Sequence, residues 1–385
     1  MWEFIGQKEV IKMDIQVARF REMLDLLKPA VARKSKIASL ESVLLKDGQA
    51  IATNLETMVV IEMPEADLTS LVPFMDVAKV LQFTPGRELL HIKSKPGKLF
   101  LSWADGSATF PVEDSGTFPN VPEFVPETEE SLDIDTLIPA LASVLPYVAT
   151  GTDRPVLNGV TLILGDPVEV AAGDGFRMAD QVLSLSFPKN IITIIPSSSV
   201  AVLKHLWEKT PRTPSPGEAL VPILMTKQHA MVAHDGKLGL RFQFGNNTAA
   251  IIHLVEGKPP DWLKLVPKGE PILQVHLLAE DLEVAVRRVM GVARDESGIV
   301  RIAFKDDKAT VSAKSDGQKV ESSFKTMDSS GAPNRIALDV SYLLRYLSGK
   351  QGIVTISWTG NSSPIAFRSQ NNPRVLIMPM KPKDW

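Results

Sequence analysis

The chain has 385 residues, 44% hydrophobic and 23% charged, with a formal net charge of −3 and no cysteine. That length supports several domains with real cores, and the composition is that of a globular protein rather than a histone-like polycation. Disulfides, thiolate metal sites and a thiol nucleophile are excluded. The opening stretch "MWEFIGQKEVIKMDIQV" lacks the apolar core of a secretory signal, and no apolar run is long enough for a membrane span, so a cytoplasmic protein without membrane contact is expected.

Taken in order, the predicted elements repeat. A short strand "DIQV" leads into the helical stretch "ARFREMLDLLKPA", whose Phe20, Met23, Leu24 and Leu27 fall at helical spacing. Strands are predicted in "IASLESVLLKDG" and "AIATNLETMVVIEMP", then a helix in "PFMDVAKVLQF", with Pro73 in its first turn, then strands in "LLHIKSKPGKLFLSWADGSATFPVE". The second pass reads "LDID", helix "TLIPALASVLPYV", strands "VLNGVTLILGDPVEVAAGDGFRMADQVLSLSF", helix "SSSVAVLKHLWEK" with serines available as N-caps, and strands "MTKQHAMVAHDGKLGLRFQFGNNTAAIIHLV". The third reads "ILQVHL", helix "AEDLEVAVRRVMGVA", "GIVRIAFKDDKATVSAKSDGQKVESSFK", helix "VSYLLRYLSG" and "GIVTISWTGNSSPIAFRSQNNPRVLIMPM".

First and second helices start near Ala18 and Pro73, Thr136 and Ser197, and Ala279 and Val340, about 55, 61 and 61 residues apart. Each pass therefore predicts two helices packed on antiparallel sheet, an α+β class. Proline- and glutamate-bearing linkers, "VPEFVPETEES" and "VPKGEP", divide the chain into expected domains 1–128, 129–268 and 269–385.

Cations recur on or beside these helices. The first pair has Arg19, Arg21, Lys28, Arg33, Lys34, Lys36 and Lys79; the second has Lys204, His205, Lys209 and Arg212, with Arg154 just beyond its first helix; the third has Arg287, Arg288, Arg294, Arg345 and Lys350. Acids are interspersed, so two readings stand: solvated helix faces, or one concave surface that holds phosphates without reading base sequence.

Signs of catalysis are missing from the sequence. The six histidines, among them His91, His205, His229, His253 and His276, show no H-E-x-x-H or H-x-H spacing, and there is no G-x-S-x-G elbow or P-loop lysine motif. "GDGFR" has two of the glycines of a phosphate loop but no third at dinucleotide spacing. No metal, cofactor or catalytic residue is expected.

"RPVLNGVTLIL", with Arg154 and Leu157-Asn158-Gly159, and the turn Gly173-Asp174-Gly175-Phe176-Arg177-Met178-Ala179 lie in the middle pass. Pro259-Pro260-Asp261-Trp262 precedes the third, and Ile377-Met378-Pro379-Met380-Lys381 closes it. In this order and spacing, over residues 13 to 381, the chain resembles the bacterial DNA polymerase III beta subunit (beta sliding clamp) family. Three departures stand out: Gly173 where that family commonly has Thr, Phe176 where it has His, and Lys264 where it has Arg.

The resemblance implies three clamp-type domains forming half of a ring, closed head to tail by a second copy around duplex DNA. It implies Arg33, Lys34, Lys36, Lys79, Arg154, Lys204, Lys209, Arg287, Arg288 and Arg345 as DNA-facing. Phe110 and Val112 on one side and Val292 on the other are the candidate dimer contacts, with Pro111 removing a ladder donor beside them. It further implies an apolar pocket for short peptides of the DNA polymerase III catalytic subunit, the clamp loader and other proteins bearing a clamp-binding motif. That pocket would comprise Leu157, Gly173, Gly175, Phe176, Arg177, Met178, Pro260, Lys264, Leu265, Tyr342, Leu376, Met378, Pro379 and Met380. Methionines suit such a surface because they repack for different peptides. The tail "KPKDW" runs past the family's usual end and about a dozen residues precede its usual start; Trp385 is expected to pack near the pocket mouth and compete with peptides. The expected function is a non-catalytic, nucleoid-associated DNA sliding clamp. The alternatives are a clamp-derived protein-interaction scaffold that does not encircle DNA, and a hydrolase on β-rich domains.

Overall fold

A computed structural model describes residues 12–151, 153–211, 227–315, 317–331, 334–360, 363–370 and 372–382. The expected contact of Trp385, the cation Arg212 and most of the N-terminal extension lie outside the described residues.

The predicted order of elements is present. The first pass contains β1 (Lys12–Gln16), α1 (Val17–Leu27), β2 (Ser42–Lys46), β3 (Gln49–Thr53), β4 (Thr57–Glu62), β5 (Ser70–Pro73), α2 (Phe74–Leu81), β6 (Leu89–Lys95), β7 (Lys98–Trp103) and β8 (Gly106–Pro111). The second contains β9 (Thr128–Asp133), α3 (Ile134–Val144), β10 (Gly159–Leu164), β11 (Val168–Gly173), β12 (Arg177–Leu183), β13 (Ile191–Pro196), α4 (Ser197–Lys209), β14 (His229–Asp235), β15 (Gly239–Phe244) and β16 (Thr248–Ile252). A single turn, α5 (Trp262–Leu265), precedes the third pass. This contains β17 (Leu273–Leu278), α6 (Ala279–Glu296), β18 (Ile299–Lys305), β19 (Lys308–Ser315), β20 (Gln318–Lys325), β21 (Asp328–Ser330), β22 (Asn334–Asp339), α7 (Val340–Leu347), β23 (Ile353–Trp358), β24 (Ile365–Arg368) and β25 (Arg374–Ile377).

Local chemistry sets the element ends. Helix α1 buries Val17, Phe20, Met23, Leu24 and Leu27, then stops at Lys28, whose N–H donates to Leu24 O, because Pro29 cannot continue the ladder. Pro73 is not in the first turn of α2 as expected: it closes edge strand β5 and is the N-cap of the helix, with extended backbone. The serines of α4 do not cap it either. The N-cap is Pro196, so Ser197, Ser198 and Ser199 fall inside the first turn, and the Ser199 hydroxyl accepts from Thr57 Oγ1 at 2.7 Å.

The strands of the described residues form four sheets, with antiparallel pairing at β1-β6, β12-β25 and β16-β4 among others. Two sheets stay within one pass: β1-β6-β7-β8 and β20-β19-β18-β22. The others cross the expected domain boundaries: an eight-stranded sheet β5-β2-β3-β4-β16-β15-β14-β9 and a nine-stranded sheet β13-β10-β11-β12-β25-β24-β23-β17-β21.

The chain separates into two compact units. One comprises residues up to Pro139 with Leu185–Asn190 and Ile195–Val255, and holds the eight-stranded sheet. Its apolar cluster includes Leu44, Ile51, Met58, Val60, Leu71, Phe118 and Ile251, with Val112 and Phe124 packed against it. The other comprises Ala140–Ser184, Ile191–Ile194 and residues from Glu256 onward. Within it α6 packs on β18, β19 and β20, and a second cluster joins Leu157, Ala171, Met178, Trp262 and Leu376.

Candidate functional site

The second cluster lies where β12 meets β25. Arg177 pairs with Ile377 and Met178 with Leu376, so the turn before β12 and the tail after β25 are neighbours. Asp174 builds that turn. Its Oδ1 accepts from the N–H groups of Phe176 and Arg177, both at 3.0 Å, and its own N–H donates to Arg177 O at 3.1 Å. Gly175 takes the left-handed position, φ +97°, that the turn needs. Met378 N–H donates to Phe176 O at 2.9 Å, fixing the tail against the turn.

Arg177 is only 5% exposed. Its Nε donates to Asp174 Oδ2 at 2.8 Å and its Nη2 to Pro146 O at 3.0 Å. Its guanidinium carbon lies 5.2 Å from the Tyr147 ring centroid and 4.8 Å from that of Tyr342. Tyr342 in turn stacks on Phe176 at 6.5 Å, and Phe176 is 60% exposed. Burial pushes the Tyr147 phenol up to about 12, against the opposing charges of Arg177 and Arg345. Burial also raises Tyr342, helped by Asp174 and Asp339 and opposed by the same two arginines.

Behind the turn Trp262 is 7% exposed, and its indole N–H donates to Thr161 Oγ1 at 3.0 Å. A Cβ on Gly173 would sit 2.8 Å from Trp262 Cζ3 and 3.0 Å from Arg177 O, so glycine is what the indole permits there. The residue whose departure was noted in the sequence is thus the complement of a large ring.

The expected pocket residues fall into three groups. Leu157, Gly173, Arg177, Met178 and Leu376 are buried and form the floor. Gly175, Phe176, Leu265 and Met378 are exposed, with Pro260 and Tyr342 half-buried; Lys264 is exposed and paired with Asp261 at 2.8 Å, a bond that raises the lysine and, despite its slight desolvation, lowers the carboxyl. Pro379 and Met380 lie along β22, where Met380 N–H donates to Ala337 O at 2.8 Å. There they line a groove of about 520 Å³ with Ile336, Trp358 and Lys381.

Trp262, Tyr147 and Asp174 join the site without being among the expected pocket residues. Trp262 and Asp174 were visible in the motifs that flank it, while Tyr147, just after α3, carried no local signal.

The expected DNA-facing cations occupy several settings. Arg154, in the loop before β10, lies against the turn: a Cβ on Gly175 would be 3.6 Å from its Nη1. Arg345 acts electrostatically on Tyr147 and Tyr342. Arg288 Nη1 reaches Ser322 Oγ at 3.3 Å, and Arg287 is bound to Glu283 one turn back on α6 at 2.6 Å.

In the first unit, Lys79 pairs with Asp76 at 3.5 Å and Lys204 with Glu208 at 3.7 Å. Lys209 is 2.8 Å from Asp25. Burial pushes the Asp25 carboxyl up, but Lys209, His205 and Lys28 outweigh it and hold the group below its ordinary range. Arg33, Lys34 and Lys36 are exposed on the segment after α1, and Arg33 shares a groove of about 300 Å³ with Lys28, Pro29, Val31 and His205.

Of the expected dimer contacts, Phe110 is half-buried on β8, which ends its sheet. Pro111 pairs with Lys98 there and its side chain is exposed. Val112 packs against the apolar cluster of its own unit, and Val292 is half-buried on α6. Among the described residues no group of three or more His, Asp or Glu side chains is arranged to hold a metal ion, and no helix is long and apolar enough to cross a membrane.

Residues 264–381 match the family described as DNA polymerase III beta subunit, C-terminal domain. The beta sliding clamp of Staphylococcus aureus is 23% identical over 315 residues, which cover 80% of this chain and 78% of that protein. The crystal structure of the DNA polymerase III subunit beta from Pseudomonas aeruginosa superposes with a TM-score of 0.84 at 20% identity, covering 97% of this chain and all of that one (100%). The DNA polymerase III beta subunit of Thermotoga maritima gives 0.83 at 18% identity, covering 96% and 99%.

Proposed function

The chain belongs to the DNA polymerase III beta subunit family, the beta sliding clamps, and from that premise we propose that it is a DNA sliding clamp, a non-catalytic processivity factor. Two copies close head to tail, each contributing domains 1–128, 129–268 and 269–385, and the ring encloses duplex DNA. The carrying observation is the order of strand, helix, sheet, helix, sheet that occurs three times along a chain with the clamp fold over nearly its whole length.

Sliding needs topology rather than grip. Cations that are mostly matched by nearby acids suit it, because the attraction to phosphate is then weak and blind to base sequence. Lys28, Arg33 and His205 in one groove are the group best placed to meet a phosphate in the first unit. The apolar floor at Leu157, Met178, Trp262 and Leu376, rimmed by exposed Phe176, Leu265 and Met378, suits short apolar peptides of the DNA polymerase III catalytic subunit, the clamp loader and similar partners. Such a protein works in the bacterial cytoplasm, at the nucleoid.

The test is loading onto nicked circular DNA with a matched loader. The clamp stays on the circle and leaves when the circle is cut, and sedimentation gives a particle of twice 42.1 kDa. A monomer, or equal retention on linear DNA, overturns the reading.

A further inference from the structure

Strand register brings lysines face to face in the two four-stranded sheets. In β1-β6-β7-β8, Lys12 is opposite Lys93 and Lys95 is opposite Lys98. In β20-β19-β18-β22, Lys308 is opposite both Lys305 and Lys325, and Lys314 is opposite Lys319. All of these lysines are exposed. Among the described pairings of the two larger sheets, no lysine faces another. Like charges directly opposite one another destabilise a sheet. Protection of sheet edges does not account for them, since β6, β7, β18 and β19 are interior strands.

The lysines alternate with buried residues, Leu90, Ile92, Leu99 and Leu101 in one sheet and Phe304, Ala309, Val311 and Ala313 in the other, so in each sheet they share the solvent face. Helix α6 packs on the buried side of the third-pass sheet. The acids on these faces are engaged: Asp14 with His91 Nδ1 at 2.6 Å, Glu321 with Lys319 at 2.6 Å, and Asp339 as the cap of α7. Asp105, Asp306 and Asp307 belong to turns beyond the strand ends.

The partner that fits is a polyanion without apolar anchors. Between the lysine rows of the third-pass sheet lie the hydroxyl residues Thr310, Ser312 and Ser323. None of the described residues on its strands is an exposed large apolar side chain for a protein partner to bury. Lys308 and Lys314 lie on one strand about 20 Å apart, room for several phosphates. The first-pass face adds a half-buried ring, Phe100, with Lys95 Nζ 5.7 Å from its centroid, a surface on which a base stacks.

We propose that each of these two sheet faces holds a single nucleic-acid strand by its phosphates, without reading its bases. This surface is separate from the helix cations assigned above to duplex DNA, and it does not depend on ring closure.

The experiment uses the full-length protein and a short, linear, fluorescein-labelled oligothymidylate, followed by anisotropy. The logarithm of the affinity should fall linearly with the logarithm of salt, with a slope of about −0.7 per phosphate contacted. Lys305→Gln, Lys308→Gln and Lys325→Gln together, or Lys93→Gln, Lys95→Gln and Lys98→Gln together, should each weaken binding about ten-fold and flatten that slope. Phe100→Ala should weaken it about five-fold. The variant combining all six lysine changes should still be retained on closed circular DNA. Unchanged oligothymidylate affinity in that variant overturns the proposal. So does equally tight binding of a labelled polyglutamate peptide, which marks a surface for an acidic protein. Loss of circle retention along with oligothymidylate binding overturns it too, because those lysines then serve the duplex. Failure of the unaltered protein to stay on circles, with oligothymidylate binding intact, overturns the clamp reading alone.

Discussion

Two turns of this molecule are built alike and carry different side chains. Between β3 and β4, Asn54 Oδ1 accepts from Glu56 and Thr57 N–H at 3.0 and 2.8 Å, and Asn54 N–H donates to Thr57 O at 3.2 Å. Leu55 is left-handed at φ +74°, and His253 N–H, just beyond β16, donates to Glu56 O at 2.9 Å. Asp174, Gly175, Phe176, Arg177 and Met378 repeat each of these relations in the other unit. The scaffold is one; the side chains differ. In the first unit the position of Arg177 holds Thr57, buried and bonded to Ser199, and the cluster beside it is covered by Phe118, Val112 and Phe124. In the second unit, aromatic and cationic side chains are exposed around an apolar floor. On the proposed reading, a strand junction serves as a docking site when its own linker leaves the rim open.

The sharpest way to break the comparison is to truncate the two large rings. Trp262→Ala and Phe118→Ala should each destabilise their own unit by about 3–5 kcal/mol, read by chemical denaturation. Only Trp262→Ala should also weaken peptide binding, measured on protein still folded at low temperature. Equal effects of both on peptide affinity would erase the distinction between the junctions.

A second test uses the fact that all three tyrosines of the chain, Tyr147, Tyr342 and Tyr346, have raised phenol pKa values, chiefly through burial. A folded pKa above the ordinary 10 means the contribution to stability is intact below pH 10 and is lost as pH rises towards the folded value, about 12 for Tyr147. Ultraviolet titration should therefore show little phenolate at pH 10, followed by alkaline unfolding of the second unit. Normal titration at 10 would contradict the packing of Tyr147 and Tyr342 around Arg177.

Smaller effects come from the turns themselves. Gly175→Ala should cost about 1 kcal/mol, because its left-handed backbone disfavours a Cβ, whereas Leu55→Gly should lose nothing in thermal melts. Smallest of all, Lys264→Ala removes an exposed pair with Asp261 and should leave the melting midpoint unchanged.

Much of the fold was legible because its signals are local. Phe20, Met23, Leu24 and Leu27 announce α1 by spacing alone, and the threefold order follows from such runs. Helix ends were less legible: Pro73 and the serines of α4 each took a role one step from the expected one, since a cap depends on the backbone angle of the preceding residue. At the site, the turn and the tail motif identified the floor. The partnership of Gly173 with Trp262, the stack of Tyr147 and Tyr342 on Arg177, and the bond of Met380 to Ala337 in β22 had no sequence signal of their own.

By itself the sequence determined the succession of elements, the absence of thiol chemistry and the family resemblance, because periodicity and motifs act over a few residues. Only the tertiary structure decided that β4 pairs with β16 and β12 with β25, and that Arg154 lies against Gly175. Those contacts join residues far apart in the chain, and their free energy depends on which surfaces meet when the sheets assemble.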